Sequence, residues 1–203
     1  MHFLKATCQK DLVWAVPQKA NLLKGEKKMF FSREKLQARI KELESYRYME
    51  RVPIGEWKKK EDPSKVEKYP PALDETWKSV KMGEYWEGRD QYIWLRTDLH
   101  VPNFKEDEAV LLFDFGKTGE GYNSGFESLL FINGEPYQGV DSNHKEVFLD
   151  AQYAGCKIEL AIKLWSGLEG GGPKKIMHHQ FKFGDYAVLN PEVDDLYYTA
   201  SNM

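Results

Sequence analysis

Between Lys157 and Leu164, apolar and outward-facing residues alternate without a break. Ile158, Leu160, Ile162 and Leu164 share one side, and Lys157, Glu159, Ala161 and Lys163 the other. A period of two places successive side chains on opposite faces of an extended strand, so this stretch must line a core on one side only. The same alternation runs through 92–101, where Ile93, Leu95, Thr97, Leu99 and Val101 interleave with Tyr92, Trp94, Arg96, Asp98 and His100 before Pro102 ends the run. Ala109 to Phe115, Ser128 to Ile132, Glu146 to Asp150, Gln180 to Phe183 and Tyr186 to Leu189 add further short runs. Asn133-Gly134 between two of them is a strong two-residue hairpin signal. Strands this short, separated by turn residues and with no α/β alternation, predict a mainly β chain built as an antiparallel β-sandwich of jelly-roll type.

The N-terminal part reads differently. Ser32 is a suitable N-cap, and Leu36, Ile40 and Leu43 recur at helical spacing up to about Tyr48, which predicts one N-terminal helix lying on a larger surface. Pro53 then breaks the pattern, and 55–71 is polar and rich in lysine up to Pro70-Pro71, as expected of extended chain wrapping the surface. Residues 1–28 carry six lysines without a sustained period and read as an extension or arm. The expected organisation is an arm at 1–28, a helix with a wrapping segment at 29–72, and a sandwich at 73–203.

Composition narrows the function classes. A formal charge of −3 and a pI near 6.0 give no electrostatic footprint of a nucleic-acid binder. The apolar run Leu12 to Val16 is too short for a signal-peptide core or a membrane span, so a cytoplasmic protein without membrane partners is expected. Cys8 and Cys156 lie far apart, and neither they nor the five histidines form a metal-ligand spacing. His178 and His179 are adjacent and would point to opposite faces of a strand. Ser166-Gly167 ahead of Gly170-Gly171-Gly172 lacks the lysine–serine pair of a phosphate loop and reads as a connection between strands. The carboxylate groups Glu106-Asp107-Glu108 and Asp194-Asp195 sit in charged segments without the apolar pocket that a glycosidase acid requires. No catalytic or metal residue is therefore assigned.

One feature of the composition does point towards a ligand class. Aromatic residues make up 14% of the chain, and aromatic faces serve both cross-strand packing and the apolar faces of sugars. The polar loop Asp141-Ser142-Asn143-His144 could hydrogen-bond sugar hydroxyls beside a stacking face from Trp94 or Trp165, or merely close the turn into the next strand. Asp141, Asn143, His144, Trp94 and Trp165 are the candidate contact residues.

These segments carry a resemblance. Gln91-Tyr92-Ile93-Trp94-Leu95-Arg96 through His100-Val101-Pro102 is similar to the opening of galactose-binding-like jelly rolls. Leu130-Phe131-Ile132-Asn133-Gly134-Glu135-Pro136 followed by Gly139 to Val147 resembles the N-terminal region of α-mannosidases of glycoside hydrolase family 38, in the cytosolic and bacterial branch. The Phe30-Phe31-x-x-Glu34-Lys35-Leu36 helix, the strand ending in Leu164-Trp165, and Asp194-Asp195-Leu196-Tyr197-Tyr198-Thr199-Ala200 extend the likeness over about residues 29–200. The resemblance implies a much longer retaining enzyme whose zinc ion is held in a catalytic domain that this chain does not match. It makes the chain a non-catalytic N-terminal β-domain whose partners are that catalytic domain, a glycan, or a second copy of itself, with no cofactor of its own. A free-standing carbohydrate-binding module is the alternative; a self-sufficient small hydrolase is a third reading.

Overall fold

A computed structural model describes residues 32–105, 108–116, 126–168 and 176–203. Among these, twelve strands in antiparallel sheets and two α-helices form a β-sandwich, as the alternation predicts. The chain runs through α1 (Ser32–Tyr46), β1 (Tyr48–Pro53), β2 (Trp57–Glu61), β3 (Lys78–Val80), β4 (Tyr85–Gly88), β5 (Tyr92–His100) and β6 (Ala109–Asp114). It continues through β7 (Glu127–Ile132), β8 (Glu135–Asp141), β9 (Glu146–Phe148), β10 (Lys157–Trp165), β11 (Met177–Gln180), β12 (Phe183–Leu189) and α2 (Pro191–Ser201). One sheet has the order β1-β12-β6-β9, the second β3-β2-β5-β10-β7-β8, and a small ribbon pairs β11 with β4.

The core lies between the two large sheets. Leu95, Leu130, Leu160, Ile162 and Leu164 from the six-stranded sheet meet Leu111, Phe113, Phe115 and Tyr186 associated with the four-stranded sheet. Trp57 sits among them edge-on to Phe113 and Phe115 at 6.2 and 6.5 Å, an arrangement that suits the ring quadrupoles. Asn133 and Gly134 both adopt positive φ, 53° and 86°, which is the backbone of a tight hairpin of the primed type.

The region expected to wrap the surface divides in two. Trp57–Glu61 is a strand inside the six-stranded sheet, paired with β5 on one side and β3 on the other. Its outward lysines conceal a strand because only Trp57 points into the core. The chain after it does wrap: residues 62–77 form a strap over the outer face of that sheet. Lys163 reaches the Asp62 carboxylate at 3.1 Å and the Glu67 carbonyl, Arg96 donates to the Pro71 carbonyl at 2.9 Å, and Tyr69 packs edge-on to Phe131. Beneath the strap, Trp77, Trp94, Phe131 and Ala161 make a second buried cluster. Ala161 thus faces outward as predicted, yet is buried. With β1 in one sheet and β2 in the other, the expected division at 72/73 separates strands from the sheets they complete.

The helix expected to end near Tyr48 ends at Tyr46, and its main neighbour is α2 rather than a sheet. Leu36 is exposed, while Ile40 and Leu43 are half-buried. α2 starts where Asn190 accepts a hydrogen bond from the Val193 N–H, with Pro191 in the first turn. The readings made for the arm at 1–28, for Glu106-Asp107 and for Gly170-Gly171-Gly172 lie outside the described residues. Among the described residues, no helix is long and apolar enough to cross a membrane.

Candidate functional site

Antiparallel partners that stand directly opposite each other point to the same face of a sheet. Asp141 of β8 stands opposite Glu127 of β7, Glu127 opposite Trp165 of β10, and Trp165 opposite Tyr92 of β5. These four residues therefore form a row across four strands, roughly 14 Å wide at the usual strand spacing. The row lies on the outer face of the six-stranded sheet, beside the rim of the strap. Tyr92 and Trp165 stack with their rings 6.3 Å apart and 25° from parallel. With Glu127, Ser128, Leu129 and Lys163 they line a shallow recess of about 230 Å³.

The aromatic pair is held in place. The Trp165 indole N–H donates to Asp90 Oδ1 at 3.0 Å, and Asp90 is also paired with Lys65. Lys65 and then the Trp165 N–H hold the Asp90 carboxyl below the ordinary carboxylate range. The Lys163 ammonium sits 5.0 Å from the centre of the Tyr92 ring, within cation–π range. An ordered aromatic surface flanked by one cation and one carboxylate can pack against an apolar face and hydrogen-bond its polar edge.

At the β8 end of the row, Asp141 organises the predicted loop. Its Oδ1 accepts the backbone N–H of Asn143 at 2.6 Å and of His144 at 2.8 Å, which closes an Asx-type turn. The His144 Nδ1 lies 3.0 and 3.1 Å from the two Asp141 oxygens. Burial works against the Asp141 charge, but the His144 ring and the two N–H groups outweigh it and hold the carboxyl below its usual range. The Nδ1 contact leaves the His144 Nε2 directed to solvent, on a side chain that is 74% exposed. Asn143 is exposed and makes no side-chain hydrogen bond among the described residues.

Of the five sequence candidates, Asp141, Asn143, His144 and Trp165 remain accessible on one side of the molecule. Trp94 does not. It is fully buried under the strap, against Phe131 at 5.5 Å, and offers no stacking face. Tyr92, Glu127 and Lys163 escaped the sequence reading because their role depends on register. A bulge between Leu130 and Phe131 shifts the β7–β8 pairing, so that Glu127 faces Asp141 instead of Val140.

The other carboxylate candidate, Asp194, lies in α2 and pairs with Arg47, while Asp195 is exposed. Arg47 is a second unforeseen node, buried between the sheet and the helices. Its guanidinium donates to both Glu146 oxygens at 2.8 and 3.0 Å, to Asp194 Oδ1 at 2.7 Å and to the Tyr198 hydroxyl at 3.2 Å. The rings of Tyr48, Tyr197 and Tyr198 surround it at 5.2, 4.9 and 4.9 Å. Burial opposes its charge, yet the bonds to Glu146 and Asp194 prevail and hold it above the ordinary arginine range.

Among the described residues, no group of three or more His, Cys, Asp or Glu side chains comes together as a metal site. The zinc implied by the family resemblance therefore has no ligand set among them, and no chemical step is assigned to it here. No protein-family model matches the chain, and no curated protein matches its sequence.

Proposed function

We propose that this chain is a non-catalytic β-sandwich domain of a zinc-dependent retaining α-mannosidase, packing against the catalytic domain of that enzyme. The observation that carries the reading is the apolar surface around the two helices. Leu36 and Tyr46 on α1, Met49 just beyond it, and Leu196 and Tyr198 on α2 are 40–60% exposed. Large side chains exposed on a pair of neighbouring helices offer a surface that a partner domain can cover. The sequence likeness described above supplies the identity of that partner. The intact mass of the endogenous protein tests the reading: a mass several times 23.7 kDa, with α-mannosidase activity in the larger species, agrees with it. A native product near 23.7 kDa refutes it.

A second reading, a free-standing carbohydrate-binding module, is favoured by the Tyr92–Trp165 recess and the neighbouring Asp141–His144 loop. It requires mannoside binding by the isolated chain that is lost in Trp165→Ala.

A further inference from the structure

A second cleft among the described residues lies on the other sheet, on the far side of the molecule from the Tyr92–Trp165 row. It measures about 580 Å³ and opens between the last turns of α1 and the outer face of the four-stranded sheet. That volume is within the range of small-molecule sites, roughly 300–1,000 Å³. Its apolar walls come from Leu112, Phe183 and Tyr48.

The polar groups around it have an unusual balance. Asp114 and Glu146 face the cleft as carboxylates fixed by the fold. Asp114 Oδ1 accepts the Gly116 N–H at 2.9 Å, and Glu146 is gripped by Arg47 and by the Tyr48 hydroxyl at 2.5 Å. Both keep lone pairs to spare, since a carboxylate has about four acceptor sites. The donors are more exposed than the carboxylates and also have N–H groups to spare. Lys145 spends one N–H on Asp114 at 2.7 Å. Arg51 donates only its Nε, to Asp185 at 2.6 Å, and its guanidinium lies over the Phe183 ring at 4.4 Å. Its two terminal nitrogens make no hydrogen bond among the described residues.

A cleft of this kind selects against both signs of charge. A phosphate would meet Asp114 and Glu146, which cannot turn away, and a polyamine would meet Arg47, Arg51 and Lys145. An uncharged polyol meets neither penalty. Each of its hydroxyls is at once a donor and an acceptor, so a neighbouring pair can bridge an unsaturated carboxylate and an unsaturated cation, while its C–H face rests on Leu112 or Tyr48. We infer that the Arg51–Asp114–Lys145–Glu146 cleft is a binding site for a neutral sugar, separate from the Tyr92–Trp165 recess. This inference holds whether or not the chain belongs to a longer hydrolase, so its failure and that of the proposed function are distinguishable.

The test is an NMR titration of the full chain with methyl α-mannoside, glucose, inorganic phosphate and putrescine, each to about 10 mM, ten times a weak millimolar Kd. The expected result is a saturable shift of the amides of Leu112, Asp114, Lys145 and Phe183 with at least one of the two sugars. Arg51→Gln and Lys145→Met should each raise that Kd at least tenfold. Lys182, 3.6 Å from Asp114, still compensates that carboxylate in Lys145→Met, and Arg51 is half-exposed, so both variants should keep the native spectral dispersion. Larger shifts with phosphate or putrescine, sugar shifts confined to Tyr92 and Trp165, or a silent cleft with both sugars would each overturn the inference.

Discussion

Replacing Arg47 with methionine keeps most of the side-chain volume and removes the guanidinium's bonds to Glu146, Asp194 and Tyr198 at the junction of β1, β9 and α2. The guanidinium side chain is only 6% exposed, and its partners Glu146 and Asp194 are 24% and 18% exposed. Breaking a fully buried pair by deleting one partner costs about 3–5 kcal/mol, because the surviving charge stays uncompensated. Here two carboxylates are stranded, but both touch solvent, which places the loss near the lower end, about 3 kcal/mol. With a urea m-value of about 2–3 kcal/mol/M, the unfolding midpoint should fall by roughly 1–1.5 M. Adding Glu146→Gln should restore part of that loss, since an amide does not suffer when the cation is gone. A coupling of about 1–3 kcal/mol between the two positions is expected from a double-mutant cycle. Amide exchange in α2 should also accelerate in the single variant, because Asp194 and Tyr198 are the helix's hydrogen bonds to that node. A midpoint change below about 0.4 M, or strictly additive variants, would refute the view that one guanidinium ties the helices to the sandwich.

Three further outcomes follow from the geometry. His179 is buried, donates from Nε2 to the Ser166 carbonyl at 2.9 Å and stacks on Trp86 at 4.4 Å, with Nδ1 unpartnered; burial pushes its pKa below the ordinary 6.5. The folded state thus binds fewer protons than the unfolded one, so stability should fall as pH drops below about 6.5, by up to about 1.4 kcal/mol per pH unit from this group, and His179→Gln should flatten that part of the profile in urea titrations at several pH values. Gly116 has φ +104°, and a Cβ there would overlap the Gln180 backbone nitrogen and lie 2.9 Å from its carbonyl oxygen, so Gly116→Ala should cost about 3 kcal/mol in thermal or chemical unfolding. Trp94→Ala should lose about 3–5 kcal/mol in chemical unfolding through the cavity it leaves under the strap, because its ring is fully buried against Phe131.

β5 and β10 were readable because one face is apolar and the other polar, and β6 because its run of Ala, Val, Leu and Phe is apolar on both faces. All three begin and end within a residue of where the sequence places them. β1 and β2 were not readable, for different reasons. β1 is an edge strand whose residues Met49, Glu50, Arg51, Val52 and Pro53 are all exposed, so no face carries a pattern. β2 has three successive lysines, and only Trp57 reports its inner face. The burial of Trp94 was hidden by a long-range event, the return of residues 62–77 over a sheet face that the local sequence marks as outer. The start of α2 could have been read from Asn190-Pro191-Glu192, a cap, a first-turn proline and an acid beside the helix N-terminus. The Asp141 loop was legible as an Asx turn, but its alignment with Glu127 and Trp165 depends on the β7–β8 bulge, for which Pro136, lacking an N–H, is the sole local hint.

The pairing of β1 with β12, Tyr48 opposite Leu189, has a consequence for how the chain emerges from the ribosome. About 140 residues separate the two partners, and at roughly 5–20 residues per second the first waits on the order of ten seconds for the second. From its own synthesis until β12 emerges, β6 lacks that neighbour as well, since β12 lies between β1 and β6. The six-stranded sheet can assemble once β10 is synthesised, while the covering layer still lacks β12, which joins β1 to β6 and β9. Translation of the last strand is therefore the step that closes the molecule, and a nascent chain stalled before residue 183 would present an open half-sandwich to any chaperone that recognises bare sheet.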